Sequence, residues 1–595
     1  MRKQSKLTIG VTVLTAIVLV AGCSSSGGGG NKSSASRVTS ASGGTTGSKP
    51  AYNAAFDKVV NPSTKTGGTL KLLASVDCDS WDPQRTYYGW CWNMQRLFTR
   101  SLMGYQVVNG TDFKPVPDLA TAPGDHNADF TQWTYTLKDG LKWSNGSPIT
   151  PMDVKYGVER LFATDVINGG PSSYFTQSID HPKDYAGPYK SGDLSTITTT
   201  DKTITFKLAS PNADFDNLMA MAASAPVPNK VEGGTGFVGA TYTKHPLASG
   251  PYMIQSYTPA KKIVFVKNPN WSQSTDTIHH PLVDEIDMTI DTSLTDIDNQ
   301  LQSGQADAAA DAKGVQAAFQ TKILTQPSLK TNADDPVTAF ARYVAVMPSV
   351  VTNLHCRLAI FYAFDKAAYI RAYGGPTAGE AAGSMTPPGI DGYDASYNPY
   401  PSGSDNTGDV AKAKDELKLC GKPTGFSLKY AYATPSDQAV KAFASEQQAL
   451  ARVGIKVTPI TQDGSTYYST FIGSPQNIKN QKIGMATAGW GADFPTGVGY
   501  YQSIANGNSI LPTGNSNYPS LNDPTVNKIL DAAPAGKATG DDWKNLDKAV
   551  MASGVYLPIL YGKTLYYRGP RMTNVTCDNA LAFGEYDFVN VGVSG

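Results

Sequence analysis

The sequence predicts an α/β protein with a partly parallel sheet, and three observations carry this. Residues 426–432 (FSLKYAY) alternate as a strand, 437–453 keep helical spacing, and 455–460 (IKVTPI) alternate again; strand, helix, strand in that order is a crossover unit that lays two strands side by side in parallel. Alternating stretches recur at 69–75, 133–137, 203–208, 251–257, 262–267 and 286–290, the period of half-buried strands. Between them, apolar residues at helical spacing mark 92–102, 354–373 and 409–419.

Taken in order, the chain begins with Arg2, Lys3 and Lys6, an apolar run over 7–20, and the small residues Val20, Ala21 and Gly22 before Cys23. This is the layout of a signal peptide, expected to be 1–22, with an apolar run too short for a comfortable membrane helix. The ending resembles a bacterial lipobox, which implies that Cys23 is lipidated and becomes the new N-terminus. Residues 24–48 are almost wholly Ser, Gly, Thr, Ala and Lys, too poor in apolar groups to offset the entropy of ordering, so 23–66 reads as an anchored tether. Several acyl chains, at about 0.8 kcal/mol per buried CH₂, hold firmly where one does not.

The first strand follows at 69–75 and a helix at 92–102. Residues 133–137 alternate, Lys138-Asp139-Gly140 breaks the run, and 141–143 resumes it, which predicts a hairpin. Thr150 with Pro151 behind it is a helix start, and Val154, Val158 and Leu161 share the buried face. The stretches 251–257 and 262–267 read as paired strands, 354–373 as one long helix, and 409–419 as a helix capped by Asp409.

Lys plus Arg and Asp plus Glu both number 50 and charged residues make up only 17%, so no field of one sign gathers nucleic acid or an anionic surface. Tyrosine is abundant, at 31 residues, and supplies an apolar ring with a polar tip. Beyond Cys23 the cysteines are Cys78, Cys91, Cys356, Cys420 and Cys577. Export permits disulfides, and two bridges with one thiol left over can be drawn in about fifteen ways. The short loop favours Cys78 with Cys91, whereas Cys356 sits in an apolar helical pattern and reads equally as a small buried hydrophobe.

Signatures of chemistry are missing. There is no Gly-x-Ser-x-Gly elbow, Gly562-Lys563-Thr564 has Leu557 where a phosphate loop needs glycine, and neither HExxH nor CxxC occurs. His279 and His280 are adjacent in an extended segment and point opposite ways, which reads as a solvated loop pair rather than a metal site. The expectation is no catalytic residue, no metal, no cofactor and no enzyme activity.

Several stretches together resemble the dipeptide- and oligopeptide-binding proteins, the large solute-binding subunits of ABC importers. The most specific is WTYTLKDGLKWSNGSPITPMDV (133–154) continuing to Glu159-Arg160-Leu161; the others are LASGPY (247–252), KNPNW (267–271), RLAIFYAFDK (357–366), PPG (387–389) and GWGADF (489–494). The resemblance implies a two-lobed periplasmic-binding-protein-like fold of type II with an additional inserted α+β domain. It places lobe I at 67–110, 246–335 and 554–595, the inserted domain at 111–245, and lobe II at 336–553. The implied function is capture of oligopeptides or dipeptides between the lobes, outside the cell membrane, for delivery to an ABC permease and its ATPase by a lipid-anchored monomer. Within the same fold a sugar, a nickel or other metal chelate, or haem is the alternative solute, and a secreted hydrolase is the reading from outside the class.

In peptide-binding members the residue matching Asp493 pairs with the ligand's α-ammonium and that matching Trp490 shapes the cleft beside Gly489. The alternative is that Asp493 caps the following helix and Trp490 fills core. The segment 82–93 (DPQRTYYGWCWN) resembles the first-lobe loop and 171–175 (PSSYF) the inserted-domain loop over the ligand, which makes Tyr87, Tyr88, Trp90, Ser173 and Tyr174 candidate contacts. The chain departs from the pattern at Thr487, where oligopeptide binders carry Arg, so no anchor for a ligand carboxylate is visible.

Overall fold

The structure is a computed structural model that describes residues 52–594 apart from 107–113, 169, 230–241, 243–245, 291, 389, 435, 537 and 579–583. The expected signal segment, Cys23 and residues 24–51 of the tether therefore lie outside the described residues, as does Gly389 of the PPG match. No helix among the described residues is long and apolar enough to cross a membrane.

Two mixed sheets organise the chain. The first runs in the order Ala308–Ala309, Thr69–Leu73, Glu285–Thr289, Lys262–Lys267, Tyr252–Thr258, with Thr69–Leu73 parallel to both its neighbours and the last two pairs antiparallel. Its core gathers Leu70, Leu72, Trp81, Phe98, Phe265 and Met288. The second has six strands, Gly379–Ala381, Tyr556–Lys563, Val337–Val346, Ile483–Gly491, Ser427–Thr434 and Lys456–Asp463. Ser427–Thr434 lies parallel to both Lys456–Asp463 and Ile483–Gly491, which is the crossover unit read from 426–460. A third, antiparallel sheet joins Asp125–His126, Gln132–Thr136, Thr203–Lys207 and Ile197–Thr199, and the helix Pro151–Arg160 packs on it behind a capping box of Thr150 and Asp153.

Several expectations shift. Tyr556–Lys563 pairs with Val337–Val346 and Gly379–Ala381, so this strand belongs to the six-stranded sheet although it lies past the edge expected at 554. Residues 52–66 are not all tether: Ala54, Ala55 and Val60 are buried in the first core, and the Ala55 N–H donates to Asp334 at 2.9 Å. The expected 354–373 helix is two, Leu354–Ala363 and Lys366–Tyr373, because the Asp365 carboxylate caps the second by accepting from the Ala368 N–H at 2.7 Å. The expected 133–143 hairpin does not form; Gln132–Thr136 pairs with Thr203–Lys207, while Lys142 bridges forward to Pro148 around Gly146 at φ 87°. His279 is not solvated but buried, with Nδ1 2.9 Å from an Asp276 oxygen, and His280 alone is exposed.

Cys78 is bonded to Cys91 and Cys356 to Cys420, with Cα separations of 5.7 and 5.1 Å, while Cys577 is buried outside both bridges. Cys356 therefore does more than fill space: it ties the Leu354–Ala363 helix to the end of Val410–Leu419. The two bridges span 13 and 64 residues, and loop-closure entropy grows with span. Replacing Cys356 and Cys420 by Ser is expected to cost about 4 kcal/mol, more than the same change at Cys78 and Cys91 at about 3 kcal/mol. Urea midpoints in the same buffer compare the two; a larger loss at Cys78 and Cys91 reverses the assignment.

Candidate functional site

The parallel strands of the second sheet end together at Thr434, Asp463 and Gly491. The crevice beyond the carboxyl ends of such strands is where open α/β sheets bind ligands. Asp493 stands two residues past the end of Ile483–Gly491. It does not cap the helix that follows: Thr496 does, its hydroxyl accepting from the Gly499 N–H at 3.2 Å. The Asp493 N–H instead donates to the Gly499 carbonyl at 2.9 Å, and the carboxylate is left to accept from elsewhere.

Its partners come from far away in the chain. The Tyr87 hydroxyl donates to Asp493 Oδ2 at 2.9 Å and the Tyr174 hydroxyl to the same oxygen at 2.7 Å. Tyr87 belongs to the loop between Asp82 and the helix Gly89–Gln95; Tyr174 belongs to the helix Ser172–Ser178. Asp493 is thus a meeting point of three parts of the chain. It is 5% exposed, and among the described residues no Lys, Arg or His forms an ion pair with it. Burial pushes its carboxyl up to about 7 against the pull of the two tyrosine hydrogen bonds, which favour the charged form.

Aromatic rings close the space around it. Trp490 lies edge-on to Tyr87 with centroids 6.2 Å apart, and its indole N–H donates to the Tyr500 carbonyl at 2.7 Å. Tyr87 also leans on Trp92 at 5.7 Å, and Tyr174 meets Phe494 edge-on at 5.4 Å. Tyr88 is half-buried and turns its hydroxyl toward the Gly464 carbonyl at 3.4 Å. Ser173 is half-buried beside Tyr174. Trp90 is different from the expectation: the helix Gly89–Gln95 starts immediately after Tyr88 and turns residue 90 into the first core, away from Asp493.

The Tyr87 loop is itself pinned. The Arg160 guanidinium, from the helix beneath the third sheet, pairs with the Asp82 carboxylate and also donates to Gln84, and its Nε–H reaches the Tyr189 hydroxyl at 2.8 Å. Both charges are fully buried. Gln84 extends the clamp by donating to the Ala223 and Ala225 carbonyls at 3.1 and 2.9 Å. This fixes where Tyr87 points.

Three buried groups, Asp118, Asp276 and His279, come close enough to share an ion. The Arg100 guanidinium already lies against both carboxylates, at 2.7 and 3.2 Å, so the charge a cation would supply is present. Arg342, on the Val337–Val346 strand directly opposite Gly489, lies with its guanidinium over the Tyr373 ring.

A family model described as bacterial extracellular solute-binding proteins, family 5 Middle, matches residues 114–510. The oligopeptide-binding protein OppA of Bacillus subtilis (strain 168) is 22% identical over 451 residues, 73% of this chain and 76% of that one. The glutathione-binding protein GsiB of Salmonella typhi is 27% identical over 369 residues, 60% of this chain and 63% of GsiB, less than two thirds of its length. The solved structure of clavulanic acid biosynthesis oligopeptide binding protein 2 is similar with a TM-score of 0.85 at 36% identity, covering 92% of this chain and 100% of that one.

Proposed function

The chain belongs to the bacterial extracellular solute-binding proteins of family 5 and has their mixed α/β, two-lobed type II fold; from that premise we propose that it captures short peptides by their free amino end and delivers them to an ABC permease. The observation that carries this is Asp493: a buried carboxylate at the junction of three chain segments whose partners are two neutral hydroxyls. A primary ammonium entering there gains a charge partner in a dry site, where such a pair is strong. Backbone hydrogen bonds to an extended peptide then tolerate varied side chains. The relatives named for oligopeptides and glutathione support the solute class.

In this reading the lobes are 67–110 with 246–335 and 564–595, and 336–563, with 111–245 inserted in the first. They close like a hinge around the ligand, bringing Tyr87 and Tyr174 onto Asp493. Gly489 and Trp490 form the floor, and Tyr88 and Ser173 line the approach. Lipidated Cys23 holds the protein at the outer face of the cell membrane. The chain works by binding and closure, and its partner subunits supply the ATP hydrolysis.

Equilibrium dialysis against a pool of tripeptides to pentapeptides tests it. Asp493→Ala is expected to weaken retention of free-amine peptides by about 30-fold or more, the cost of removing one partner of a buried charge pair, and to leave N-acetylated peptides nearly unchanged. Equal retention of both classes by the parent protein would overturn the ion pair.

A further inference from the structure

The helix Gly497–Ala505, just past Asp493, is gripped along one side. Its cap Thr496 and residues 499 and 502 are spaced by three, so they share a face. Each meets a residue from the stretch 174–214. The Thr496 hydroxyl donates to Asp214 Oδ2 at 3.3 Å, the Tyr174 hydroxyl oxygen lies 3.2 Å from the Gly499 carbonyl oxygen, and Gln502 Nε2 donates to Gln177 Oε1 at 2.7 Å. Of these partners Tyr174 also donates to Asp493. Asp214 and Gln177 hold the helix on either side of it.

The bond between Gln502 and Gln177 is aimed from both ends. Asn506, one turn beyond Gln502, places Nδ2 3.4 Å from Gln502 Oε1 and 2.9 Å from Asp531 Oδ1. With its oxygen turned to Asn506, Gln502 has its amide N–H groups left for Gln177. Gln177 accepts there with Oε1 and donates with Nε2 to the Asn508 carbonyl at 3.3 Å. A primary amide carries a donor and an acceptor side by side, and both are used. Gln502 is 9% exposed, so losing its partner strands a buried amide, which costs more than the bond itself contributes.

The gripping side is built as one piece. Tyr174 and Gln177 are three residues apart on the helix Ser172–Ser178 and share a face. Where that helix ends, Ile179 bridges to Leu208 and the Asp180 N–H donates to the Lys207 carbonyl at 3.0 Å, which fastens it to the strand Thr203–Lys207. Asn212, itself buried, donates from Nδ2 to the Ser178 hydroxyl at 3.0 Å and accepts the Asp214 N–H at 2.9 Å. Asp214 and Gln177 are therefore two jaws of one unit, with the helix Gly497–Ala505 between them.

With these contacts made, Asp493 is 5% exposed, so no solute reaches it until the jaws and the helix part. The same bonds stand in the way of entry and of exit. In the reading above the solute lies against Asp493 and touches neither Gln177 nor Gln502, so their bond is as strong with the crevice empty as with it filled. A contact that favours the shut form equally in both cases changes how often the crevice opens and leaves the binding equilibrium where it was.

We propose that Gln177 and Asp214 form a clasp on the helix Gly497–Ala505 that keeps the crevice shut with or without a solute, and that its opening sets the rate of solute exchange rather than the affinity. This rests on the hinge closure of the reading above and not on which solute is bound. Gln177 and Gln502 are positioning residues, acting on the solute only through the shut form.

Two measurements on the full chain, refolded from urea to strip bound solute, test this. Small-angle X-ray scattering without solute is expected to match the shut form in the parent and to show a larger radius of gyration in Gln177→Ala. Stopped-flow fluorescence with tri-alanine, read by Trp490 beside Tyr87, is expected to show association and release both faster by about tenfold in Gln177→Ala, the loss of one bond with its partner stranded. The dissociation constant should stay within about threefold of the parent. Gln502→Ala should act in the same direction, the double variant should add little because both changes remove one bond, and Gln502→Ala serves if Gln177→Ala fails to fold. A parent that scatters as an open form without solute, or variants as compact as the parent, overturns the clasp. Faster release at an unchanged association rate makes Gln177 a holder of the solute and overturns the gate. A parent that does not bind tri-alanine counts against the peptide reading, and the scattering then decides the clasp by itself.

Discussion

Asp493→Asn is expected to stabilise the unliganded protein at pH 8 and to leave it unchanged at pH 4. Burial holds the carboxyl at about 7 in the folded chain against an ordinary 3.8, so the folded state keeps a proton through a window in which the unfolded state has lost it. Stability from that proton is fully present below pH 3.8 and is lost as pH rises through about 7. Above it the folded chain carries a buried carboxylate with no cation, and a rise from 3.8 to about 7 corresponds to about 4 kcal/mol. Asparagine keeps the shape and the acceptor oxygen for Tyr87 and Tyr174 without the charge. Urea unfolding of both proteins from pH 4 to pH 8 is the measurement, and parallel curves across that range refute the assignment. The same linkage makes binding of a free-amine peptide weaken by about tenfold per pH unit below about 7, with a proton released on binding; the released proton shows in calorimetry as a heat that depends on the buffer.

Arg160→Ala is expected to cost about 3 to 5 kcal/mol of folding stability, because it strands the buried Asp82 carboxylate without its counter-charge. Arg160 and Asp82 are both at 0% exposure, and the guanidinium also holds Gln84 and Tyr189. Changing both charges at once, Asp82→Leu with Arg160→Met, removes the stranded charge and should recover most of the loss. The double variant should still bind peptides more weakly than the parent, since the clamp sets the loop that carries Tyr87. Urea midpoints read the first claim and dialysis the second. A single variant within about 1 kcal/mol of the parent would show the pair to be worth no more than a surface salt bridge.

Much of the local structure was legible in the chain alone. Thr150 and Asp409 cap the helices they were read to cap, and the unit 426–460 forms two parallel strands around a helix. Each of these signals is written within a turn or two: a short side chain answering a free N–H, or apolar residues at a period set by the backbone. Asp493 too was marked by its neighbours in GWGADF, a run that resembles other members of a large family.

Only the tertiary structure decided what surrounds those residues. Tyr87 and Tyr174 reach Asp493 across 406 and 319 positions, and Asp82 meets Arg160 across 78. Tyr556–Lys563 slots between two strands from much earlier in the chain, Gly379–Ala381 and Val337–Val346. Trp90 went to the core while Tyr87, three residues before it, went to the crevice, because a helix begins between them. The sequence by itself determined periodicity, caps and a recognisable run around Asp493, since these depend on contacts a few residues apart. Which hydroxyls and charges meet in the crevice was decided by packing, because contacts between distant segments exist only once the sheets have assembled.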